Sequence, residues 1–141
     1  MSIGNIRTRE VVVARRDTTV SEAARLMRKH HVGDVIVVDE LDGRKVPCGI
    51  VTDRDIVVRT VAEGRDPNRA MLGEICSRHL VHVAPDDPIE RAIDLMREYA
   101  VRRLPVVHNG APIGILSLGD LASYRDPESP LAVISEAPGN L

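Results

Sequence analysis

The chain is an internal duplication, and this feature constrains its fold more than any other. When the sequence is shifted by 69 residues, Val20–Val38 aligns with Ile89–Val107 with seven identities in nineteen positions. The same shift places Ile3–Arg9 on Leu72–Arg78, and the shift becomes 65 after a loop that is four residues longer in the first half. Most of the other exchanges replace one apolar residue by another. The sequence therefore predicts two copies of one small structural unit.

Each half predicts the element order β-α-β-β-α. The predicted fold class is therefore α/β (α+β), with two tandem units packed as a pseudo-two-fold pair. Continuous apolar runs predict buried strands, and the turns Asp42-Gly43 and Asn109-Gly110 predict hairpins. The predicted strands are Val11–Ala14, Val35–Val38 and Cys48–Val51 in the first half, and Leu80–Val83, Leu104–Val107 and Pro112–Leu116 in the second.

The helix after the first strand has one apolar face in each half. In the first half, Thr19-Val20-Ser21-Glu22 has the spacing of a capping box, which marks the start of a helix. Apolar residues then recur at i, i+3, i+4 and i+7, which is the period of an amphipathic helix. They are Val20, Ala23, Ala24 and Met27 in the first half, and Ile89, Ala92, Ile93 and Met96 in the second.

The repeat also predicts domain boundaries. The predicted segments are a first unit at 1–66, a linker at 67–73, a second unit at 74–126 and a C-terminal tail at 127–141. Glu63–Asn68 combines charged residues with Gly and Pro, which end the preceding helix. In the tail, Ser129 and Pro130 suit the N-cap and the first position of a helix. Leu131–Ile134 is then a predicted helical turn that ends before Pro138-Gly139.

Composition excludes several kinds of function. The net charge is -2 and the chain contains no Trp, no Phe and two Tyr, which disfavours a nucleic-acid partner. No apolar stretch approaches the roughly 20 residues of a membrane helix, and Met1–Glu10 lacks a signal-peptide core. We therefore expect a cytoplasmic protein with no membrane partner. Cys48 and Cys76 are expected to be small buried thiols, with a redox role as the alternative.

The sequence carries no motif of a known catalytic centre. A nucleophile elbow, a phosphate-binding Gly-rich loop and a dinucleotide-binding fingerprint are all absent from the sequence. The five histidines are scattered, without the spacing of metal ligands. The sequence therefore predicts a protein that is not an enzyme, with no catalytic residue and no metal site.

Three motifs connect the duplication to a known family. They are "GIVTDRDI" at 49–56, "GILSLGDL" at 114–121 and "VRRLPVV" at 101–107. With the β-α-β-β-α order, they resemble the tandem CBS-domain pair, or Bateman module, over roughly Ile3 to Tyr124. "TDRDIVVR" followed by "AEGRDPN" is most similar to the stand-alone bacterial pairs, the group that includes the hypoxic-response proteins.

The resemblance implies a nucleoside site at the end of each half. In that family, the Ser/Thr and Asp of the motif hold the ribose and lie near the phosphate, and these residues are Thr52, Asp55, Ser117 and Asp120 here. A carboxylate is a natural acceptor for two vicinal hydroxyls. The same four residues also have the spacing of helix capping boxes, and a cap alone is the alternative.

The two halves differ just before the middle strand. Arg102 and Arg103 stand there in the second half, where the family often places a basic residue against phosphate, whereas Gly33 and Asp34 stand there in the first. An acidic residue repels phosphate. We therefore predict that Ser117/Asp120 is the better nucleotide site and that Thr52/Asp55 is empty or takes a less anionic ligand. The alternative is that both arginines are solvated or pair with local carboxylates.

The resemblance implies a regulatory protein that senses an adenine nucleotide or another adenosyl ligand in the cleft between the units. The candidate ligands are AMP, ADP, ATP, S-adenosylmethionine and NAD, and no cofactor is required. The last helix of each unit, around Val57 and Val61 and around Leu121 and Ala122, carries apolar residues, and in that family such helices pack two chains together. The resemblance therefore implies a homodimer, with a further protein target of unknown identity. A structural scaffold that binds no ligand is the alternative function.

Overall fold

The computed structural model describes residues 1–6, 8–77 and 79–138. Arg7, Arg78 and Gly139, which the sequence alignment and the predicted tail helix include, lie outside the described residues. The strands are β1 (Val13–Arg15), β2 (Asp34–Leu41), β3 (Arg44–Thr52), β4 (Arg103–His108) and β5 (Ala111–Ser117). The α-helices are α1 (Val20–His30), α2 (Asp53–Ile56, continued by a π-helix at Val57–Val61), α3 (Leu72–Ile75), α4 (Ile89–Tyr99), α5 (Leu118–Arg125) and α6 (Pro130–Glu136), and a 3-10 helix spans Ile3–Asn5.

The amphipathic helices confirm the duplication in backbone detail. Helices α1 and α4 are each 11 residues long. Both end on a non-glycine residue in the left-handed conformation, His31 with φ 54° and Ala100 with φ 53°. The predicted cap of α1 is present, since the Thr19 hydroxyl accepts from Glu22 N at 3.2 Å. The apolar faces are narrower than predicted, because Ala24 and Ile93 are exposed.

The two hairpins form at the predicted turns. Strand β2 pairs antiparallel with β3, and β4 pairs antiparallel with β5. Asp42 and Gly43 have φ values of 51° and 74°, and Asn109 and Gly110 have 50° and 77°. Two successive positive φ values are what a type I′ turn requires, and Asn/Asp-Gly pairs tolerate them best. Both hairpins also carry a register shift at the same repeat position.

The first strand of the second repeat is shorter than predicted. In the first repeat, β1 pairs parallel with β2, and Ile36 N donates to Val12 O at 2.8 Å. The residue equivalent to Ile36 is Pro105, which has no backbone N–H to donate. The predicted strand at Leu80–Val83 is accordingly reduced to one isolated bridge, between Val83 and Val106.

The chain forms two compact units. We call the described residues of Val12–Leu80 the first-repeat unit, and those of Met1–Val11 and Val81–Pro138 the second-repeat unit. The backbone hydrogen bonds of the leading segments explain this grouping. Ile3 N donates to Asp87 O at 2.9 Å, and Leu72 N donates to Thr18 O at 2.9 Å. Each leading segment therefore joins the sheet and helices of the other repeat, and the predicted linker contains the start of α3.

Each unit has its own aliphatic core, as the scarcity of aromatic residues requires. The core of the first-repeat unit consists of Ala14, Val20, Ala23, Met27, Val35, Val37, Val51, Ala70, Leu72, Ile75 and Cys76. The core of the second-repeat unit consists of Ile3, Ile6, Val83, Ile89, Ala92, Leu95, Met96, Leu104, Val106, Leu116 and Leu121. The predicted core methionines, Met27 and Met96, are buried in these cores. Ile3 and Leu72 are equivalent in the repeat, and each anchors its leading segment in a core.

Candidate ligand-binding site

The two predicted motifs are capping boxes of closely similar geometry. Asp55 N donates to Thr52 Oγ1 at 3.2 Å, and Thr52 N donates to the Asp55 carboxylate at 2.9 Å. In the second repeat, Asp120 N donates to Ser117 Oγ at 3.1 Å, and Ser117 N donates to Asp120 Oδ2 at 2.8 Å. Each box orders the start of a helix at the end of a hairpin. Capping is therefore a role that all four residues have, and it uses one oxygen of each carboxylate.

The capping box of the second repeat opens into a cavity of about 870 Å³. We call it the second-repeat cavity. The residues that line it are Ile6, Thr8, Arg9, Glu10, Ser117, Gly119, Asp120, Ser123, Tyr124, Ser135 and Glu136. All of them belong to the second-repeat unit. A volume of this order is typical of cavities that hold small molecules and cofactors.

The N-terminal segment forms one wall of this cavity. Arg9 pairs antiparallel with Ile115 of β5, since Ile115 N donates to Arg9 O at 2.9 Å. The segment lies so close to β5 that a Cβ on Gly114 would overlap the Thr8 hydroxyl. Gly49 is the equivalent residue, and a Cβ there would lie 2.8 Å from Ser77 O. The glycine of both motifs is therefore explained by the close approach of another strand-like segment.

The C-terminal helix α6 forms another part of the wall. Ser129 caps α6 as predicted, because Ala132 N donates to Ser129 Oγ at 3.2 Å. Ala132 is fully buried, and Ser135 lies against Gly119 so closely that a Cβ on the glycine would be 2.6 Å from Ser135 Cβ. The tail thus places Ser135 and Glu136 beside the capping box of the second repeat.

Tyr124 and Asp120, which line this cavity, each have a polar atom without a hydrogen-bond partner among the described residues. The Tyr124 hydroxyl is buried and unpaired. Asp120 Oδ2 accepts from the cap, and Asp120 Oδ1 has no partner in the described part of the chain. A buried hydroxyl without a partner costs about 1–3 kcal/mol. Asp120 Oδ1 is therefore available to a ligand that offers donors.

The equivalent place in the first-repeat unit is occupied by an arginine. Arg59 follows Asp55 by one helical turn, and its Nε lies 4.0 Å from Asp55 Oδ1. The same guanidinium donates to Ile75 O at 3.1 Å. Ile75 and Arg59 are the repeat equivalents of Ile6 and Tyr124, which line the second-repeat cavity. Arg59 therefore contacts two residues, Asp55 and Ile75, whose repeat equivalents, Asp120 and Ile6, line the second-repeat cavity.

The residues before the middle strand lie beside the motifs but do not line the second-repeat cavity. Arg103 is in register with Ser117, and Asp34 with Thr52. Both Arg103 and Asp34 take part in interactions. Arg102 is exposed, and its carbonyl accepts from Leu118 N at 2.9 Å, as the Gly33 carbonyl accepts from Asp53 N at 3.0 Å. Their side-chain roles toward phosphate stay a prediction.

The first-repeat unit also contains a half-buried thiol beside an ion pair. Cys48 Sγ donates to Val37 O at 3.2 Å, and burial raises the pKa of the thiol. The nearby Arg16 guanidinium opposes this rise. Arg16 donates to Asp39 Oδ1 at 2.8 Å, and this hydrogen bond lowers the pKa of the Asp39 carboxyl. Cys76 is buried, and both cysteines are free thiols.

The described ranges contain no candidate metal cluster and no candidate membrane-spanning helix. Within residues 1–6, 8–77 and 79–138, no group of three or more His, Cys, Asp or Glu side chains could hold a metal ion. In the same part of the chain, no helix has both the length and the apolar character needed to cross a bilayer.

Sequence reasoning missed most of the cavity wall. Tyr124 could have been found, because it follows Asp120 by four residues and therefore lies on the same helix face. The walls from Thr8–Glu10 and from Ser135 and Glu136 had no signal in the sequence. They reach Asp120 only because both ends of the chain pack on the second repeat.

These observations define a tandem α/β repeat with a capping box at the end of each hairpin. Residues 3–60 and 72–126 match the family model of the CBS domain. The chain therefore belongs to the CBS-domain family and carries the domain as a tandem pair, which confirms the resemblance and the fold class.

Several proteins and structures are similar to the chain. It is 40% identical over 121 residues to the CBS domain-containing protein YhcV of Bacillus subtilis, covering 86% of this chain and 83% of that protein. It is 35% identical over 122 residues to an uncharacterized protein of Methanopyrus kandleri, of which it spans only 61%. The crystal structure of Hypoxic Response Protein I with two coordinated zinc ions is 30% identical, with a TM-score of 0.75 over 88% of this chain and 98% of that one.

Proposed function

We propose that the chain is a regulatory CBS pair that binds an adenine nucleotide or another adenosyl ligand in the second-repeat cavity. The observation that carries the proposal is the position of Asp120. Its Oδ2 is fixed by the Ser117 amide at 2.8 Å, while Oδ1 is unpaired within the described chain at the edge of an 870 Å³ cavity. CBS pairs are generally regulatory proteins rather than enzymes, which agrees with this assignment.

The chemistry of the cavity suits a ribose. A fixed carboxylate accepts from two vicinal hydroxyls, and a charge-assisted hydrogen bond is about twice as strong as a neutral one. The cap holds Asp120 in one orientation before the ligand arrives, so little side-chain entropy is lost on binding. Tyr124, one helical turn after Asp120, lines the same cavity.

The first-repeat motif is proposed to be the weaker site. Arg59 contacts the Asp55 carboxylate and the Ile75 carbonyl, so a ligand must first displace its guanidinium. This reason differs from the sequence-based one, which relied on Asp34 and on Arg102 and Arg103. Both reasons favour Ser117/Asp120 over Thr52/Asp55.

Ligand binding would regulate by shifting a conformational equilibrium. Two walls of the cavity come from the N-terminal segment and from α6, which are the two ends of the described chain. A ligand that contacts both walls stabilises the arrangement in which both are docked, in proportion to its differential affinity. A homodimer and a separate protein target, which would read this change, remain part of the proposal.

The direct test is a titration of the full chain with adenosine, AMP, ADP, ATP, S-adenosylmethionine and NAD. A ligand at 100 times its Kd adds about 2.7 kcal/mol of stability, which a thermal-shift assay detects easily. Asp120→Asn should weaken the best ligand by about 10-fold or more, because a charge-assisted hydrogen bond is lost. Asp55→Asn is the matched control and should change the affinity by less than about 2-fold.

Two results would contradict the proposal. Equal losses in Asp55→Asn and Asp120→Asn would refute the preference for the second-repeat cavity. No thermal shift with any of these compounds would favour the ligand-free scaffold instead. Asn retains a carbonyl oxygen that accepts from the cap amide, so both variants should stay folded.

A further inference from the structure

Among the described residues that line the second-repeat cavity, acidic side chains outnumber basic ones. Glu10, Asp120 and Glu136 are acidic and Arg9 is basic, which gives these described lining residues a formal charge of -2. Arg9 also takes part in an interaction of its own. A wall of this charge attracts cations and repels anions, and the effect grows with the charge of the ligand.

Two of the three carboxylates lie outside the motif of the family repeat. Glu10 comes from the N-terminal segment, one residue after the bridge of Arg9 to Ile115. Glu136 is the last residue of α6, which follows the second family match at 72–126. Its position is set by the contact of Ser135 with Gly119 and by the burial of Ala132. The acidic character is therefore added to the motif by the two ends of the described chain.

We propose that the second-repeat cavity selects adenosyl compounds without phosphate groups, neutral or cationic, over nucleoside polyphosphates, and that Glu136 and Glu10 determine this selection. The inference rests on the proposed function, since it specifies the ligand class of the same cavity. Asp120 acts on the ribose of every adenosyl ligand alike. The two glutamates attract or repel the group that replaces the 5′ hydroxyl, according to its charge. Phosphate groups there carry up to four negative charges, and a sulfonium carries one positive charge.

The arginines before β4 favour the opposite selection. Arg103 is in register with Ser117, but it is not among the lining residues and already takes part in another interaction. Arg102 is exposed. A solvated guanidinium outside the cavity acts through water, whereas Glu10 and Glu136 stand in its wall. We therefore expect the glutamates to outweigh the arginines, and the experiment below separates the two contributions.

The test is a calorimetric titration with adenosine, S-adenosylmethionine, AMP and ATP, in EDTA and at low salt. The wild-type chain should bind adenosine and S-adenosylmethionine at least about 10-fold more tightly than ATP, because of the repulsion between ATP and the wall. Glu136→Gln and Glu10→Gln should each lower the ratio of the adenosine affinity to the ATP affinity about 3- to 10-fold. This effect of each substitution should be smaller in about 0.5 M salt. Glu128→Gln, an exposed residue of the same tail that does not line the cavity, is the matched control.

The outcomes are distinct. Binding of ATP as tight as that of adenosine would overturn the inference while supporting the proposed function. The same holds if Glu136→Gln and Glu10→Gln behave like Glu128→Gln, or if Arg103→Gln weakens ATP while the glutamate variants change nothing. If none of the four probes binds to any variant, the proposed function fails and the inference fails with it. Circular dichroism of each variant confirms that the fold is intact.

Discussion

Arg59 and Tyr124 stand at equivalent positions of the two repeats, and only Arg59 engages the capping carboxylate that precedes it by one helical turn. Arg59 Nε lies 4.0 Å from Asp55 Oδ1, and its guanidinium also donates to Ile75 O at 3.1 Å. Tyr124 leaves Asp120 Oδ1 without a partner among the described residues, and its own buried hydroxyl is unpaired there too. The two copies of one motif therefore have unequal surroundings.

Replacing Arg59 should open the first-repeat motif. In Arg59→Tyr, the Asp55 carboxylate loses its cation and the Ile75 carbonyl loses the guanidinium that donates to it. We expect calorimetry to show the binding stoichiometry of the best ligand rising from one to two sites per chain. Arg54→Tyr, an exposed neighbour, should leave it at one. An unchanged stoichiometry in Arg59→Tyr would show that the arginine does not block the site.

Substituting Gly114 should displace the N-terminal segment. In Gly114→Ala, the new Cβ would overlap the Thr8 hydroxyl and lie 3.2 Å from Thr8 Cβ. Overpacking of this kind costs about 1–3 kcal/mol, so urea denaturation should show a lower free energy of unfolding. The double variant Gly114→Ala/Thr8→Ala removes the hydroxyl and should recover part of the loss. No recovery would show that the overlap with Thr8 is not the cause.

Substitution of Gly119 by alanine should have the opposite effect to the same substitution at an ordinary helical glycine. Gly→Ala in a helix interior usually stabilises a protein by about 0.5–1 kcal/mol. At Gly119 the new Cβ would lie 2.6 Å from Ser135 Cβ, so it should push α6 away. Hydrogen exchange should therefore show faster exchange of the α6 amides in Gly119→Ala, and Ser135→Gly should reverse this in the double variant. Unchanged protection of α6 would contradict the observed packing.

The Cys48 thiol should react slowly with alkylating agents. Burial raises its pKa, so the thiolate fraction at pH 8 is lower than for an unperturbed cysteine, and the thiolate is the reactive form. Arg16 opposes this rise, so Arg16→Gln should raise the pKa further and slow iodoacetamide labelling of Cys48. Mass spectrometry of the labelled peptide separates Cys48 from Cys76. Faster labelling in Arg16→Gln would show that the guanidinium acts mainly by shielding the thiol.

The π-helix after Asp55 should carry the contact between two copies of the chain. Val57, Val58 and Val61 are 58%, 44% and 64% exposed, although they are large apolar residues. The double variant Val57→Glu/Val61→Glu should therefore dissociate the proposed homodimer in sedimentation velocity. Leu41→Glu, at a residue that is 57% exposed in the hairpin of the same unit, is the control. A monomeric wild-type chain at about 50 μM would contradict the homodimer, because specific interfaces usually have a much lower Kd.

Local sequence signals determined the elements of each repeat. The turns at Asp42-Gly43 and Asn109-Gly110, the cap at Thr19 and the cap at Ser129 all formed as predicted, because each depends on residues that are neighbours in the sequence. The first strand of the second repeat is the exception, because it is shorter than predicted. Its cause is local as well, since Pro105 lacks the amide that would extend this strand.

The tertiary structure decided which segments meet at the candidate site. The repeat in the sequence assigns Thr8–Glu10 to the first copy, but backbone hydrogen bonds place this segment in the second-repeat unit, beside Asp120. Likewise, the sequence predicts a helix after Ser129 but does not indicate that it packs on Gly119. Hydrogen bonds and packing between segments far apart in the chain depend on close fits that periodicity does not encode. The motif was therefore readable in the sequence, and the walls of its cavity were not.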